Sequence, residues 1–256
     1  MKVVRRFNRY ELKYLLHVSR LGALVSDLVQ FMSPDDHGDA DGCYRVSSLY
    51  YDSPDLYFYR SKIEGLRFRR KLRVRVYPDG PGVGRSATAF VEIKQRMNRT
   101  IQKRRVVLPL GKALALCAGT LDEWPPLDDA DVTTASEITY LLRALQLRPT
   151  CIVSYRRRAF VGSRYEQGMR LTFDSLLEGR TTVLDLCVEG PRHLFLPPDW
   201  VVMEIKVNDR VPNWVTSLVA KHECELTRIS KYCAAVARSR ARLQLAWAAK
   251  EEACHA

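Results

Sequence analysis

The chain has 256 residues, 46% of them hydrophobic and 9% aromatic. That composition excludes a disordered, fibrous or collagen-like polypeptide, and the length suffices for a substantial core. Its 41 Lys+Arg against 29 Asp+Glu leave a formal net charge of +12, which implies an anionic partner: nucleic acid, a phospholipid surface, or a small polyanion such as a nucleotide or polyphosphate.

In chain order, the first pattern is Arg9, Glu11 and Lys13 alternating with Tyr10, Leu12 and Tyr14. Alternation with a period of two marks a strand, because successive side chains point to opposite faces. Val18 to Phe31 puts Leu21, Leu24, Val25, Leu28 and Phe31 on one helical stripe. Pro34 to Gly42 reads as an acidic loop. From Arg67 to Tyr77 the odd positions Arg67, Arg69, Lys71, Arg73 and Arg75 are cationic, while the even positions Phe68, Leu72, Val74 and Val76 are apolar, with Arg70 the exception. Pro78 to Gly84 then reads as a hairpin connection. In Phe90 to Arg96, Glu92, Lys94 and Arg96 oppose Val91 and Ile93; in Gln102 to Leu108, Lys103 and Arg105 share a face with Val107.

Trp124 to Asp131 reads as a second acidic loop. Thr134-Ala135-Ser136-Glu137 is a capping-box signature that opens a helix through Ile138, Leu141, Leu142 and Leu145, stopped by Pro149. Three more strands follow. Val153, Tyr155 and Arg157 share a face in Ile152 to Phe160. Arg170, Thr172 and Asp174 oppose Leu171 and Phe173. Glu204 and Lys206 oppose Met203, Ile205 and Val207. Pro212 opens a segment with Trp214, Leu218 and Val219, and a last helix is expected over about 230–252. Its Arg238, Arg240 and Arg242 read as a solvated basic patch. The loops separate no stretches of differing composition, so a single domain over 1–256 is expected.

The seven cysteines form no C-x-x-C pair and the histidines are scattered, which reads as reduced thiols in a cytosolic protein with no zinc site. No run of about 18 apolar residues is present, and Met1 to Arg6 does not read as a signal peptide. No P-loop, Gly-x-Gly-x-x-Gly or kinase signature occurs. Ser47, Ser48 and His17 assemble no recognisable nucleophile. Catalysis, if any, is expected to rest on positioning and electrostatics.

An ordinary antiparallel sheet would turn these charged faces to water. The Arg67–Arg75 face, however, sets like charges about 7 Å apart along one strand, which is costly without an anion between them. A closed antiparallel barrel with a charged interior and a helical coat over its apolar exterior resolves this. Such an interior suits phosphates, which arginine forks pair bidentately. Glu11 and Glu92 read as neutralisers of neighbouring cations, and Glu204 as a ligand for a hard divalent cation.

The order of motifs resembles a known family. Arg9-x-Glu11-x-Lys13-Tyr14, Ser48-Leu49-Tyr50-Tyr51-Asp52, Arg73-x-Arg75, Glu92-x-Lys94, Lys103-Arg104-Arg105, Tyr155-x-Arg157-x-Ala159-Phe160, Arg170-x-Thr172-x-Asp174, Glu204-x-Lys206 and Ser230-Lys231-Tyr232 follow one another. Together they resemble the VTC (vacuolar transporter chaperone) domain, the polyphosphate polymerase branch of the triphosphate tunnel metalloenzymes. The resemblance implies an α+β fold with a closed eight-stranded antiparallel barrel, a tunnel, and helices outside it. It implies transfer of the terminal phosphate of ATP onto a growing polyphosphate chain with Mn²⁺ or Mg²⁺. By matching position, Arg73, Arg75, Lys94, Arg157, Arg170, Lys206 and Lys231 would be catalytic. Arg9, Lys13, Lys103, Arg105 and Tyr155 would bind substrate, and Glu204 would hold the metal. Hydrolytic relatives typically open with Glu-x-Glu-x-Lys; here Arg9 replaces the first acid, which favours polyanion retention over activated water. The expected partners are ATP and polyphosphate, with a membrane-associated protein as a further candidate and no specific nucleic acid. The expected location is the cytoplasm, with peripheral association at the inner membrane face as a variant. The eukaryotic members also carry a phosphate-sensing domain and transmembrane helices, neither of which is visible here.

Two other readings stand beside this one. A hydrolase would cleave tripolyphosphate or a nucleoside triphosphate. A basic binding module would hold RNA or anionic lipid without turnover.

Overall fold

A computed structural model describes residues 9–80, 82–98, 100–163, 166, 168–208 and 210–241. Arg242, read above with the terminal basic patch, and the far end of the expected last helix lie outside them. The elements in order are β1 (Arg9–His17), α1 (Val18–Leu28), β2 (Met32–Pro34), β3 (Cys43–Asp52), α2 (Tyr57–Ile63) and β4 (Phe68–Val76). Next come β5 (Thr88–Met97), β6 (Thr100–Pro109), α3 (Leu110–Ala118), α4 (Asp129–Ala144), β7 (Arg148–Gly162) and β8 (Arg170–Arg180). The chain continues with β9 (His193–Leu194), β10 (Trp200–Asn208), α5 (Asn213–Lys221) and β11 (Glu225–Leu226). A helix over 231–241, α6, completes the described chain.

The strands form one 11-stranded sheet in the order β11-β1-β10-β8-β7-β3-β4-β5-β6, with β2 added on β7 and β9 on β8. This corrects the expected closed eight-stranded barrel, because the order ends at β11 and β6 and no pairing joins them among the described residues. The alternation specifies which face of each strand is apolar, and says nothing about whether the outermost strands find each other. Both edges carry features that discourage pairing: β11 has two residues, and β6 carries Gln102, Lys103, Arg104 and Arg105 in succession. The charge crowding that called for closure is relieved inside the sheet, by the cross-strand pairs described below.

The chain divides into two compact units, Met1–Arg45 with Tyr155–Leu177 and Leu196–Ile229, and Val46–Ser154 with Glu178–Phe195 and Ser230–Ala256. In the first, β1 runs antiparallel to β10, with Glu11 opposite Lys206 and Lys13 opposite Glu204. β10 pairs in turn with β8, setting Glu204 opposite Thr172. The apolar backs, Leu171, Phe173, Val201, Met203 and Ile205, are buried with Leu24, Val25 and Leu28 of α1 and Val215 and Leu218 of α5. In the second unit, Leu72, Val74 and Val76 of β4, Val91 and Ile93 of β5, and Val106 and Leu108 of β6 share one core. Ala113 and Leu116 of α3 and Ile138 and Leu141 of α4 complete it. Burial of this apolar area is the main stabilising contribution.

One helix reading needs correction, and the sequence reading contained neither α2 nor α3. α4 begins at Asp129, five residues before the expected capping box. Asp128 caps it by accepting from the Asp131 amide at 2.8 Å, while the Thr134 hydroxyl donates to the Ala130 carbonyl inside the helix. An earlier carboxylate cap, with Asp129 and Asp131 in the first turn favoured by the helix dipole, prevails over the Thr134 signal. α2 escaped the sequence reading because its cap is not the preceding residue. Asp52, at the end of β3, accepts from the amides of Ser53, Phe58 and Tyr59.

Asp52 also accepts the Tyr232 hydroxyl at 2.5 Å, tying α6 to β3 and α2 inside the second unit. Burial and the Asp52 charge push the Tyr232 phenol well above its ordinary range. Tyr232→Phe is expected to lower unfolding stability by about 1–2 kcal/mol, because a buried carboxylate loses one donor. Urea denaturation checks this, and an unchanged midpoint would show that the bond contributes nothing.

No helix among the described residues is long and apolar enough to cross a membrane, and the described cysteines are free thiols.

Candidate functional site

The second unit carries a cationic face on β4, β5 and β6. Direct opposition in the register aligns Lys71 with Lys94 and Lys94 with Lys103, and beside that row Arg73 with Glu92 and Glu92 with Arg105. Opposed side chains on one face lie within interaction distance, so a row of like charges is unfavourable unless anions attend it. Glu92 is the carboxylate there and is 1% exposed. Arg73 donates to it through Nε at 2.7 Å, with Nη2 at 2.6 Å, and Lys103 pairs with its other oxygen. Burial alone would raise the Glu92 carboxyl, yet Arg73, Arg75 and Lys103 outweigh it and hold the group at about 2. Burial pulls the Lys103 ammonium down to about 8 despite Glu92.

The β3 register adds two partners. Tyr50 stands opposite Arg73 and Ser48 opposite Arg75. Arg73 donates to the Tyr50 hydroxyl at 3.0 Å, and Arg75, itself buried, donates to the Ser48 hydroxyl at 3.1 Å. Lys71 donates to Ser230 at 2.6 Å. Arg105 is exposed and lies over the Phe90 ring, 5.0 Å from its centroid. Lys231 opens α6 in this unit.

The first unit carries a cluster of its own. Glu204 pairs with Lys206 at 2.7 Å and with Lys13 at 3.7 Å, and Lys13 also reaches Glu11 at 3.1 Å. Burial lowers the Lys206 ammonium, and Arg157 adds to this; Glu204 and Glu11 oppose it. Thr172 Oγ1, opposite Glu204 in the register, is buried without a hydrogen-bond partner. Arg157 grips Asp174 with both arms of its fork, Nε at 2.6 Å and Nη2 at 2.8 Å. Although burial lowers it, the Arg157 guanidinium is held well above its usual range by Asp174 and Tyr155. Its Cζ stands 5.2 Å from the Tyr155 ring centroid.

The sequence-derived residues thus fall into two groups. Arg73, Arg75, Lys94, Lys103 and Lys231 belong to the second unit, with Arg105 over Phe90. Lys13, Tyr155, Arg157, Glu204 and Lys206 belong to the first. Arg170, also in the first, is tied to Asp35 at 2.5 Å and to the Tyr44 hydroxyl at 2.7 Å. Arg9 stands in β1 opposite Asn208, and its side chain lies outside what is described. Sequence reasoning assigned no role to Tyr50 or Ser48. The period-two spacing Ser48, Tyr50, Asp52 was the available signal, since it puts all three on one face of β3. Among the described residues, no three His, Cys, Asp or Glu side chains gather as a metal cage.

Comparison with known proteins adds to this geometry. Two solved structures, provisionally assigned as adenylate cyclases, resemble the chain. One, from Bacillus halodurans, has 14% identity and a TM-score of 0.47 and covers 87% of this chain and 95% of that one. The other, from Vibrio parahaemolyticus, has 11% identity and a TM-score of 0.43, with coverage of 87% and 94%. The vacuolar transporter chaperone complex subunit 4 of Trypanosoma cruzi is 23% identical over 278 residues. That match takes in 90% of this chain and 34% of the relative, so the chain spans about a third of that longer protein. The sequence profile of the VTC domain matches residues 8–240, a span that contains both charged clusters, and the chain belongs to the VTC domain family.

Proposed function

We propose that this chain is a phosphotransferase that moves the terminal phosphate of ATP onto a growing polyphosphate chain. The observation that carries the reading is the cationic face of β4–β6, where Lys71, Arg73, Arg75, Lys94 and Lys103 surround one buried carboxylate, Glu92. Five cations against one anion leave a local excess of 5 − 1 = +4, which a chain of phosphates neutralises and an apolar ligand does not. Membership of the VTC domain family and the likeness to a VTC complex subunit support the same chemistry. Arg73, Arg75, Lys94 and Lys103 are proposed to hold phosphate oxygens. Arg157, Arg170, Lys13, Lys206, Tyr155, Lys231, Arg105 and Arg9 are proposed as further substrate contacts. Transfer then rests on alignment and charge neutralisation, with no protein nucleophile.

The donors of the first unit fit a hard divalent cation. Glu204 and Glu11 offer carboxylates on either side of Lys13, and the buried Thr172 hydroxyl beside Glu204 has no partner. Mg²⁺ and Mn²⁺ accept one or two carboxylates and complete their shells with water and phosphate oxygens. Such an ion would supply positive charge that offsets the phosphates. Glu204, assisted by Glu11, would hold it, with Lys13 and Lys206 paired to these carboxylates. A membrane-associated partner is proposed to accompany the chain, on the cytoplasmic side.

The test incubates purified protein with ATP and Mn²⁺ and analyses the products. ADP together with long polyphosphate is expected. Orthophosphate without polymer would replace this reading with a hydrolase. An unconsumed nucleotide together with salt-dependent RNA binding would replace it with a binding module. Glu204→Gln is expected to weaken Mn²⁺ activation by about 10–100-fold or more; an unaltered Mn²⁺ response removes Glu204 from the metal site.

A further inference from the structure

Tyr50 is 6% exposed, and its ring stacks on Tyr232 with centroids 5.0 Å apart. Its hydroxyl accepts from Arg73 Nη1 at 3.0 Å, while Glu92 takes Arg73 Nε and Nη2. The Arg73 guanidinium is therefore clamped at two edges, which sets its plane. We propose that Tyr50 is the positioning residue for Arg73, and that its hydroxyl, once deprotonated, competes with a bound phosphate for the β4 cations. The proposal rests on the phosphate-binding reading above.

The electrostatic surroundings favour it. Burial raises a phenol, but Arg73, Arg75 and Lys71 prevail and bring Tyr50 down to about 8. Its proton passes to solvent, and the phenolate left behind sets a full negative charge among the cations that a phosphate would occupy. Two anions then contend for one set of donors. By linkage, a phosphate that shifts the Tyr50 titration upward is itself weakened, by the same factor, as the pH rises.

Other titratable groups share this unit. On β5, Glu92 is held at about 2 and stays ionised. On α6, Tyr232 donates to Asp52 and is pushed far up, so it keeps its proton. On β7, the Cys151 thiol is pushed up to about 12. On β6, Lys103 is brought down to about 8 and does titrate in the same range. Tyrosinate absorbance distinguishes the two, because it does not register lysine.

The experiment titrates the whole protein by near-ultraviolet absorbance, with and without inorganic tripolyphosphate, beside calorimetric binding of tripolyphosphate. One tyrosinate is expected to appear with a midpoint near 8, to be absent from Tyr50→Phe, and to be delayed to higher pH by tripolyphosphate. Wild-type affinity is expected to fall by about tenfold from about pH 7 to about pH 9, and less in Tyr50→Phe, the ligand's own titration being common to both. At about pH 7, Tyr50→Phe should bind tripolyphosphate about threefold to tenfold more weakly, because Arg73 loses one clamp. No tyrosinate below about pH 10 overturns the proposal. A midpoint unmoved by tripolyphosphate that demonstrably binds overturns the competition alone. Absence of binding heat at about pH 7 overturns the phosphate reading, and the competition with it. The wild-type titration carries the test even where Tyr50→Phe folds poorly.

Discussion

Arg157→Ala is expected to destabilise the protein by about 3–5 kcal/mol, because it takes two charge-assisted hydrogen bonds from a buried carboxylate. Asp174 is fully buried, and both arms of the Arg157 fork end on it. Breaking such a pair from one side leaves a buried charge with its main partner gone, whereas removing both partners does not. The paired change of Arg157→Met with Asp174→Leu is therefore expected to recover most of the stability. Urea midpoints for the single and double variants check this. A single variant within about 1 kcal/mol of wild type would show that Asp174 is served by other donors. Arg157→Lys should fall between, since an ammonium cannot reproduce the two parallel bonds. In an activity assay the double variant is expected to stay inactive while folded, which separates the role of Arg157 toward phosphate from its role in holding Asp174.

Glu92 is expected to make the protein acid-labile. Its folded value of about 2 lies below the ordinary 4.5, so its contribution is present above about pH 4.5 and disappears as the pH falls toward 2. A depression of this size corresponds to about 3 kcal/mol. Glu92→Gln is expected to lose about that much at neutral pH and to flatten the decline of stability between about pH 4.5 and 2. Denaturant melts across that range check both parts, and a wild-type curve no steeper than the variant's would remove Glu92 as the acid-sensitive group. The same change raises the local excess on β4–β6 from +4 to +5, so Glu92→Gln should bind tripolyphosphate more tightly than wild type at low salt. Weaker binding would mean that Glu92 is needed to orient Arg73, as Tyr50 is.

These two residues also show where the sequence was readable. Arg157 and Asp174 lie 17 positions apart and pair within the first unit. Alternation placed each on a polar face, but nothing local announced the partner. Glu92 was read as a neutraliser of nearby cations, and Arg73 and Lys103 lie directly on it. Thr134 is the opposite case, a strong local signature overruled by Asp128, because the α4 chain could start its first turn earlier. α2 left no local signal, since Asp52 caps it from the end of β3.

Local pattern sufficed to read the facing of β1, β4, β5, β6, β7, β8 and β10, the apolar backs destined for helical cover, and the concentration of arginine and lysine on polar sides. Those follow from period-two and period-3.6 geometry, in which each residue's direction depends only on its near neighbours. Long-range packing settled which strands are neighbours, that the sheet ends at β6 and β11 with no pairing between them among the described residues, and which charge meets which. Pairing and register are long-range choices, fixed by competition among many strands of similar pattern. A crowded row of cations is relieved equally well by an enclosing wall or by a carboxylate and a phenol on the adjoining strands. Here Glu92 and Tyr50 relieve it, and nothing near Arg73 in the chain could have told the two solutions apart.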